Sequence, residues 1–168
     1  GSALWDYLME IGAPMGLKPG HTSSIRRIEA AMLSYHADMT LKNNPFELGM
    51  DRLVDLDMEA DFVSKAALAR IRDEGVSQLQ VGLVFDGAPI SGSNDEYWPV
   101  LVDGQKVGQV TSAVYSPRLE QNIALALVAV AHAGIGTKAM IDMSGEPRGC
   151  EIVQKPFFDP KKAIAARG

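Results

Sequence analysis

From Ser2 to Gly75 the apolar positions recur at helical steps, and beyond Gly75 they alternate. Leu4, Trp5, Leu8 and Ile11 share one face of a predicted helix that Ser2 can cap and Gly12 ends, with Pro14 soon after. Leu17 to Gly20 is a turn. Thr22, Ser23 and Ser24 then offer hydroxyl acceptors for the open N–H groups of a second helix start. In that helix Ile25, Ile28, Met32 and Tyr35 fall at three- and four-residue steps. Asn43-Asn44-Pro45 breaks the region, and Leu53 to Asp57 alternates apolar and acidic residues like a half-buried strand. Ser64 caps a third predicted helix, with Ala67, Leu68 and Ile71 inward and Gly75 as its stop.

Leu79, Val81, Leu83 and Phe85 open the alternating part, closed by Asp86-Gly87-Ala88-Pro89. Val100 to Val102 and Gln105 to Val107 flank Asp103-Gly104, a dipeptide that favours a type I′ hairpin turn. Val110 to Tyr115, Ile123 to Ala131, Ala139 to Met143 and Glu151 to Gln154 follow as strands. Helices followed by short antiparallel strands predict an α+β piece joined to a small all-β barrel or sandwich, with the boundary between Gly75 and Gln78.

Composition narrows the classes. With 46% apolar and 22% charged residues over 168 positions the chain is globular, of one domain or two small ones. A net charge of -5 argues against a nucleic-acid backbone as partner but leaves room for a local basic pocket. The one cysteine, Cys150, excludes an internal disulfide and has no activating neighbours, which fits a buried thiol in a reducing compartment. No apolar run is long enough for a membrane span, and Gly1 to Trp5 lacks the pattern of a signal peptide; a cytoplasmic protein is expected.

Candidate chemistry concentrates in the second helix. Arg26 and Arg27 fall in its first turn, where the helix dipole disfavours cations, so at least one is expected to be in use. Both could instead pair with Glu29, Glu10 or Asp38 on the surface. Glu29 and Asp38 have the chemistry of acids or bases, or they orient Arg27 or cap backbone donors. Tyr35 lines a pocket or packs in the core. His21, His36 and His132 show no ligand spacing, and no metal site is expected. Asp55-x-Asp57-x-Glu59-x-Asp61 begins like a calcium loop, yet Ala60 stands where glycine is needed and Ala66 where a bidentate Glu belongs. Gly134-x-Gly136-x-x-Ala139 imitates a dinucleotide fingerprint, but only a short strand and a turn follow it.

Arg27-Ile28-Glu29-Ala30-Ala31, Tyr35-His36-Ala37-Asp38 and Pro45-Phe46-Glu47 together resemble the folate-dependent aminomethyltransferases, the T-protein of the glycine cleavage system and its relatives. Ala31 and His36 replace two glycines of the usual pattern. The resemblance continues through Val81-Gly82-Leu83, Gly87-Ala88-Pro89, Gly108 to Ser112, Ser116-Pro117, Asn122 to Ala126 and Lys155-Pro156-Phe157. It implies the C-terminal part of a folate-binding α+β lobe over residues 1–76, an antiparallel β-barrel over 77–162 and a tail over 163–168.

The same resemblance implies tetrahydrofolate as cofactor, bound by Arg27, Glu29 and Tyr35, and a one-carbon transfer from an aminomethyl group on a lipoyl carrier protein. The family's catalytic aspartate and pterin-holding glutamate would fall upstream, so the chain by itself is expected to hold no catalytic residue and to be inactive. Ser112 to Pro117, with Tyr115, and Ile25 to Glu29 look more like the dimethylsulfoniopropionate demethylases, which would make a sulfonium the substrate. A silent folate-binding or partner-docking module is the alternative from another class. Lys161-Lys162 stands where some members place a folate-contacting tyrosine; it would attract a glutamyl tail or form an exposed basic end. Loss of covering lobes would expose apolar surface on the first seventy or so residues and favour self-association.

Overall fold

The computed structural model describes residues 1–20, 23–161 and 163–164. The chain runs α1 (Ser2–Gly12), α2 (Ser24–Glu29), α3 (Lys65–Glu74) and then six strands: β1 (Gln78–Phe85), β2 (Trp98–Val102), β3 (Gln105–Ser116), β4 (Gln121–Ala129), β5 (Lys138–Met143) and β6 (Glu146–Val153). The strands close into an antiparallel barrel in the order β1-β4-β3-β2-β5-β6. This is the small barrel that the period-two half of the sequence predicts.

Alternation explains the barrel core. Val81, Leu83 and Phe85 of β1 meet Val100, Val110, Ala113, Ile141 and Ile152 inside it. Strand β4 turns its small residues Ala124 and Ala126 inward and its larger Ile123 and Leu125 outward. The outward pair is fully buried as well, because Ile28 of α2 packs over it with Val114. That second layer, on the outside of β1, β4 and β3, holds the candidate site. Burying Ile28 completely stabilises it by about 2–3 kcal/mol.

Two turns take the geometry their residues favour. Asp103 and Gly104 have φ of 50° and 77°, and Ser144 and Gly145 have 55° and 94°, as a two-residue hairpin of the primed type requires. Only Ser144-Gly145 forms the second turn; Glu146 and Pro147 already belong to β6, which begins earlier than Glu151. The apolar run from Ile123 leaves the sheet after Ala129 and passes into a short 3-10 turn over Val130–His132.

The N-terminal part departs further from its periodicity. Helix α2 stops at Glu29 instead of running through Tyr35, because Ala31 takes φ 52°; His36, further along, takes φ 72°, so both positions where the family pattern has glycine are left-handed. Met32 and Tyr35 consequently leave the buried face and are exposed. Ser23 caps the helix, its Oγ accepting from Arg26 N at 3.3 Å; Thr22 and His21 lie outside the described residues. Leu53 to Asp57 is no strand: a 3-10 turn over Asp51–Leu53 gives way to bends in which Asp55 Oδ1 accepts from Asp57 N and Met58 N. Ser64 precedes α3 without a side-chain cap, and Ala67 is exposed while Leu68 and Ile71 are half-buried. The apolar face of α1, Leu4, Trp5, Leu8 and Ile11, is likewise exposed.

Candidate functional site

The site is a closed ring of hydrogen bonds between the end of α2, the following turn and a kink in β3. Arg27 Nη1 donates to Asp38 Oδ2 at 2.7 Å, and Arg27 Nη2 donates to Ser112 Oγ at 2.9 Å. Ser112 Oγ in turn donates to Asp38 Oδ1 at 2.6 Å, closing the ring. Thr111 Oγ1 reaches the same Oδ1 at 2.6 Å and the carbonyl of Leu125 at 3.1 Å. Ser34 N donates to Asp38 Oδ2 at 2.9 Å, which ties the turn after α2 to the ring. Asp38 is buried, its side chain fully enclosed, whereas the Arg27 side chain keeps 24% of its surface exposed. A buried carboxylate needs this many donors, since an unpaired one would cost far more than the ring returns.

Adjacent strand residues normally point to opposite faces, yet Thr111 and Ser112 both reach Asp38. A β-bulge between Val110 and Ser112 allows it. The bulge leaves a trace in the sequence: Val110 and Ala113 both face the barrel core, a spacing of three that regular alternation forbids. The loop before β2 holds the kink from above, with Asn94 Oδ1 accepting from Ala113 N at 2.7 Å.

A second buried carboxylate lies one turn away. Glu29 accepts from Ser116 Oγ at 2.6 Å and pairs with Arg118 at 3.5 Å, and the Arg118 guanidinium sits 4.1 Å over the Phe158 ring. Glu29 therefore braces β3 and the C-terminal segment and does not orient Arg27; that expectation is corrected, and Asp38 performs the task. Phe157 N and Phe158 N both donate to the Glu29 carbonyl. Tyr35 is half exposed on the rim, its ring edge-on to His36 at 4.3 Å, so it is not a core tyrosine.

Beside the ring a cleft of about 600 Å3 opens, lined by Asp38, Thr111, Thr40, Asn43, Tyr97 and Lys106. Tyr97 Oη bonds the carbonyls of His36 and Ala37 at 2.8 and 2.9 Å. Lys155 stands half-buried nearby; burial pulls its ammonium down to about 8, against an opposing pull from Asp38. Burial pushes the Cys150 thiol up to about 11, the state of an inert buried cysteine. Among the described residues no three His, Cys, Asp or Glu side chains gather as a metal site, and no helix is long and apolar enough to cross a membrane. Ser112, Thr111, Ser116, Arg118 and Lys155 are the polar partners that residue spacing alone does not assemble.

Family models match both parts of the chain. The family model for the GCVT N-terminal domain matches residues 1–58, and that for the glycine cleavage T-protein C-terminal barrel domain matches residues 79–159. An aminomethyltransferase of Synechococcus sp. (strain CC9902) is 41% identical over 159 residues, covering 94% of this chain and 42% of that protein. One from Symbiobacterium thermophilum is 37% identical over 162 residues, with the same coverage of 94% and 42%. The crystal structure of glycine cleavage system aminomethyltransferase T from Bartonella henselae superposes with a TM-score of 0.72 at 22% identity, over 80% of this chain and 37% of that one.

The chain belongs to the glycine cleavage T-protein superfamily. It spans about two fifths of the length of the curated relatives it matches. These relatives are aminomethyltransferases, a class that is folate-dependent in general, and the demethylase reading drawn from Tyr115 finds no support among them.

Proposed function

We propose that this chain is a portion of a tetrahydrofolate-dependent aminomethyltransferase and that Arg27 is its folate contact. One observation carries the reading. The Arg27 guanidinium is held at Nη1 and Nη2 by Asp38, Ser112 and the Met32 carbonyl, while the N–H on Nε and the second on Nη2 have no partner among the described residues. A partly exposed guanidinium with a free edge is suited to a carboxylate or to ring heteroatoms, through its planar fork of donors. The residues present therefore fit an anionic, heteroatom-rich ligand of the folate type. Tyr35 supplies an exposed aromatic face on the rim of the same turn, and Glu29 braces the floor through Ser116 and Arg118.

Tetrahydrofolate, when bound, supplies the nitrogen nucleophile that accepts the one-carbon unit. The residues of this chain bind and orient. Arg27 fixes the ligand's direction, the barrel wall excludes water beneath it, and the gain is one of positioning. We also infer a division at 76/77 between the α+β portion and the barrel, a lipoyl carrier protein as the partner presenting the aminomethyl group, a cytoplasmic location, and dependence on further protein for the chemical step. The family match of the barrel from residue 79 supports the division, and the aminomethyltransferase relatives, of which the chain spans about two fifths, support the lipoyl partner and the dependence on further protein.

Calorimetric titration of the chain with tetrahydrofolate, anaerobic and reducing, tests the reading. Saturable binding that Arg27→Ala abolishes is the expected result. A folded chain that binds nothing, or that binds equally well without Arg27, overturns it.

A further inference from the structure

We propose that Asp38 and the Thr111-Ser112 bulge are the positioning device of Arg27: they set the direction of the guanidinium, and through it the ligand selectivity of the site. For its ligand readout this rests on the folate reading above.

Charge alone does not account for the ring. A fully enclosed carboxylate 2.7 Å from Arg27 neutralises much of the field with which a bare guanidinium would attract an anion. An electrostatic trap would be stronger without Asp38. The arrangement instead spends that field on direction. Two different oxygens grip Nη1 and Nη2, and the Ser112 hydroxyl accepts from Arg27 while donating to Asp38, so neither end of the guanidinium can rotate without breaking a bond. The bulge is what brings Ser112 to that position; in a regular strand only one of the two hydroxyls could face Asp38. Thr111 and Ser34 N saturate the remaining carboxylate lone pairs and keep Asp38 from turning. Arg27 thus presents its Nε edge outward in one orientation.

The other charges around the ring are consistent with direction as its purpose. Lys155 lies within electrostatic reach of Asp38 but forms no ion pair with it among the described residues, so Arg27 is the cation that the carboxylate holds. Glu29 is committed to Ser116 and Arg118.

The test compares Asp38→Asn, Ser112→Ala, Arg27→Lys and Arg27→Ala in the same chain, with two readouts. The first needs no ligand: nitrogen-15 NMR of the arginine side chains. A guanidinium locked at both nitrogens gives separate, slowly exchanging Nη proton signals, and these are expected for Arg27 in the wild type and lost in Asp38→Asn and Ser112→Ala. The second is calorimetry with tetrahydrofolate. Asp38→Asn keeps the Arg27 charge and removes both its clamp and the carboxylate that neutralises it, so an electrostatic trap would bind an anion more tightly, whereas a positioning role predicts binding weaker by about ten- to a hundredfold, the range of one charge-assisted hydrogen bond. Ser112→Ala should lie in the same direction with a smaller loss, and Arg27→Lys, which retains charge but not the fork, should not rescue Arg27→Ala. Equal or tighter binding by Asp38→Asn, or Arg27 signals that average freely in the wild type, overturns the proposal. Wild-type protein that shows the locked signals but binds no folate removes the folate reading and leaves the clamp standing. Should Asp38→Asn fail to fold, Ser112→Ala, which removes one oxygen and leaves the carboxylate paired, decides both readouts.

Discussion

Gln80 of β1 sets up a stability test that runs against ordinary intuition. Gln80 is 4% exposed, on the outer face of the barrel, and both Nε2 and Oε1 are buried without a hydrogen-bond partner among the described residues. Its backbone is well served: Gln80 N donates to the Glu47 carbonyl at 2.7 Å, and the residue lies opposite Leu127 in the ladder. Leaving a buried amide unpaired costs about 1–3 kcal/mol on the scale of protein mutations. Methionine has nearly the same length, carries no strong polar atom and fits irregular gaps. Gln80→Met should therefore stabilise the fold by about 2 kcal/mol. For a chain of this size each kcal/mol is worth about 2–4 °C, so the melting temperature should rise by roughly 4–8 °C. Urea unfolding should show a higher midpoint at an unchanged slope, which separates a gain in the folded state from a change in compactness of the unfolded one. Gln80→Ala is the control, since the cavity it leaves offsets the relief and should return a smaller gain or a loss. A Gln80→Met variant that melts at or below the wild-type temperature with the same slope would refute the reasoning, because it would show that the amide is satisfied where it stands.

Three further outcomes are expected. Ile28→Ala empties the fully buried contact between α2 and β4 and should cost about 2–5 kcal/mol, read by chemical denaturation; a loss below 1 kcal/mol would mean that α2 is not anchored through Ile28. Gly108→Ala would place a Cβ 2.3 Å from the Leu127 carbonyl oxygen and 2.8 Å from Val128 Cα, both backbone atoms of β4, so it should cost about 2 kcal/mol or more, and a neutral variant by thermal melting would contradict that close approach. Lys155 has a folded value of about 8, below the ordinary lysine value, so the unfolded chain holds the extra proton between those values and stability should rise with pH from 8 towards 10.5. The drop from 10.5 to about 8 sets a ceiling of roughly 3 kcal/mol, which partial exposure reduces to about 1. Lys155→Met should recover that amount at pH 7 and nothing above pH 10.5, whereas a lysine stabilised chiefly by Asp38 would give the opposite slope.

The barrel was legible because its signal is repetitive. Leu79 to Phe85 and the Asp103-Gly104 turn each state their geometry locally, and closing the sheet satisfies every alternating face at once. The N-terminal segment hides its geometry because two of its turns rest on residues that seldom adopt left-handed backbone. Ala31 and His36 read as helix formers or neutral positions, and nothing in their chemistry announces φ of 52° and 72°. Tertiary contact imposes them: Asp38 can meet Arg27 and Ser34 N together only if the chain leaves the helix after Glu29 and doubles back. A pairing of Arg27 with Asp38 was among the alternatives that their local motif offered, but their common partner was not. Ser112 lies 85 positions beyond Arg27 and reaches it through a single extra residue in β3. That residue is marked only by the spacing of Val110 and Ala113, two core positions that should not share a face. An alternation that slips by one between two hydroxyl residues is therefore a physical signal in its own right. It places two hydroxyls on one face of a sheet, and because that face is buried here they require partners, which Asp38 supplies.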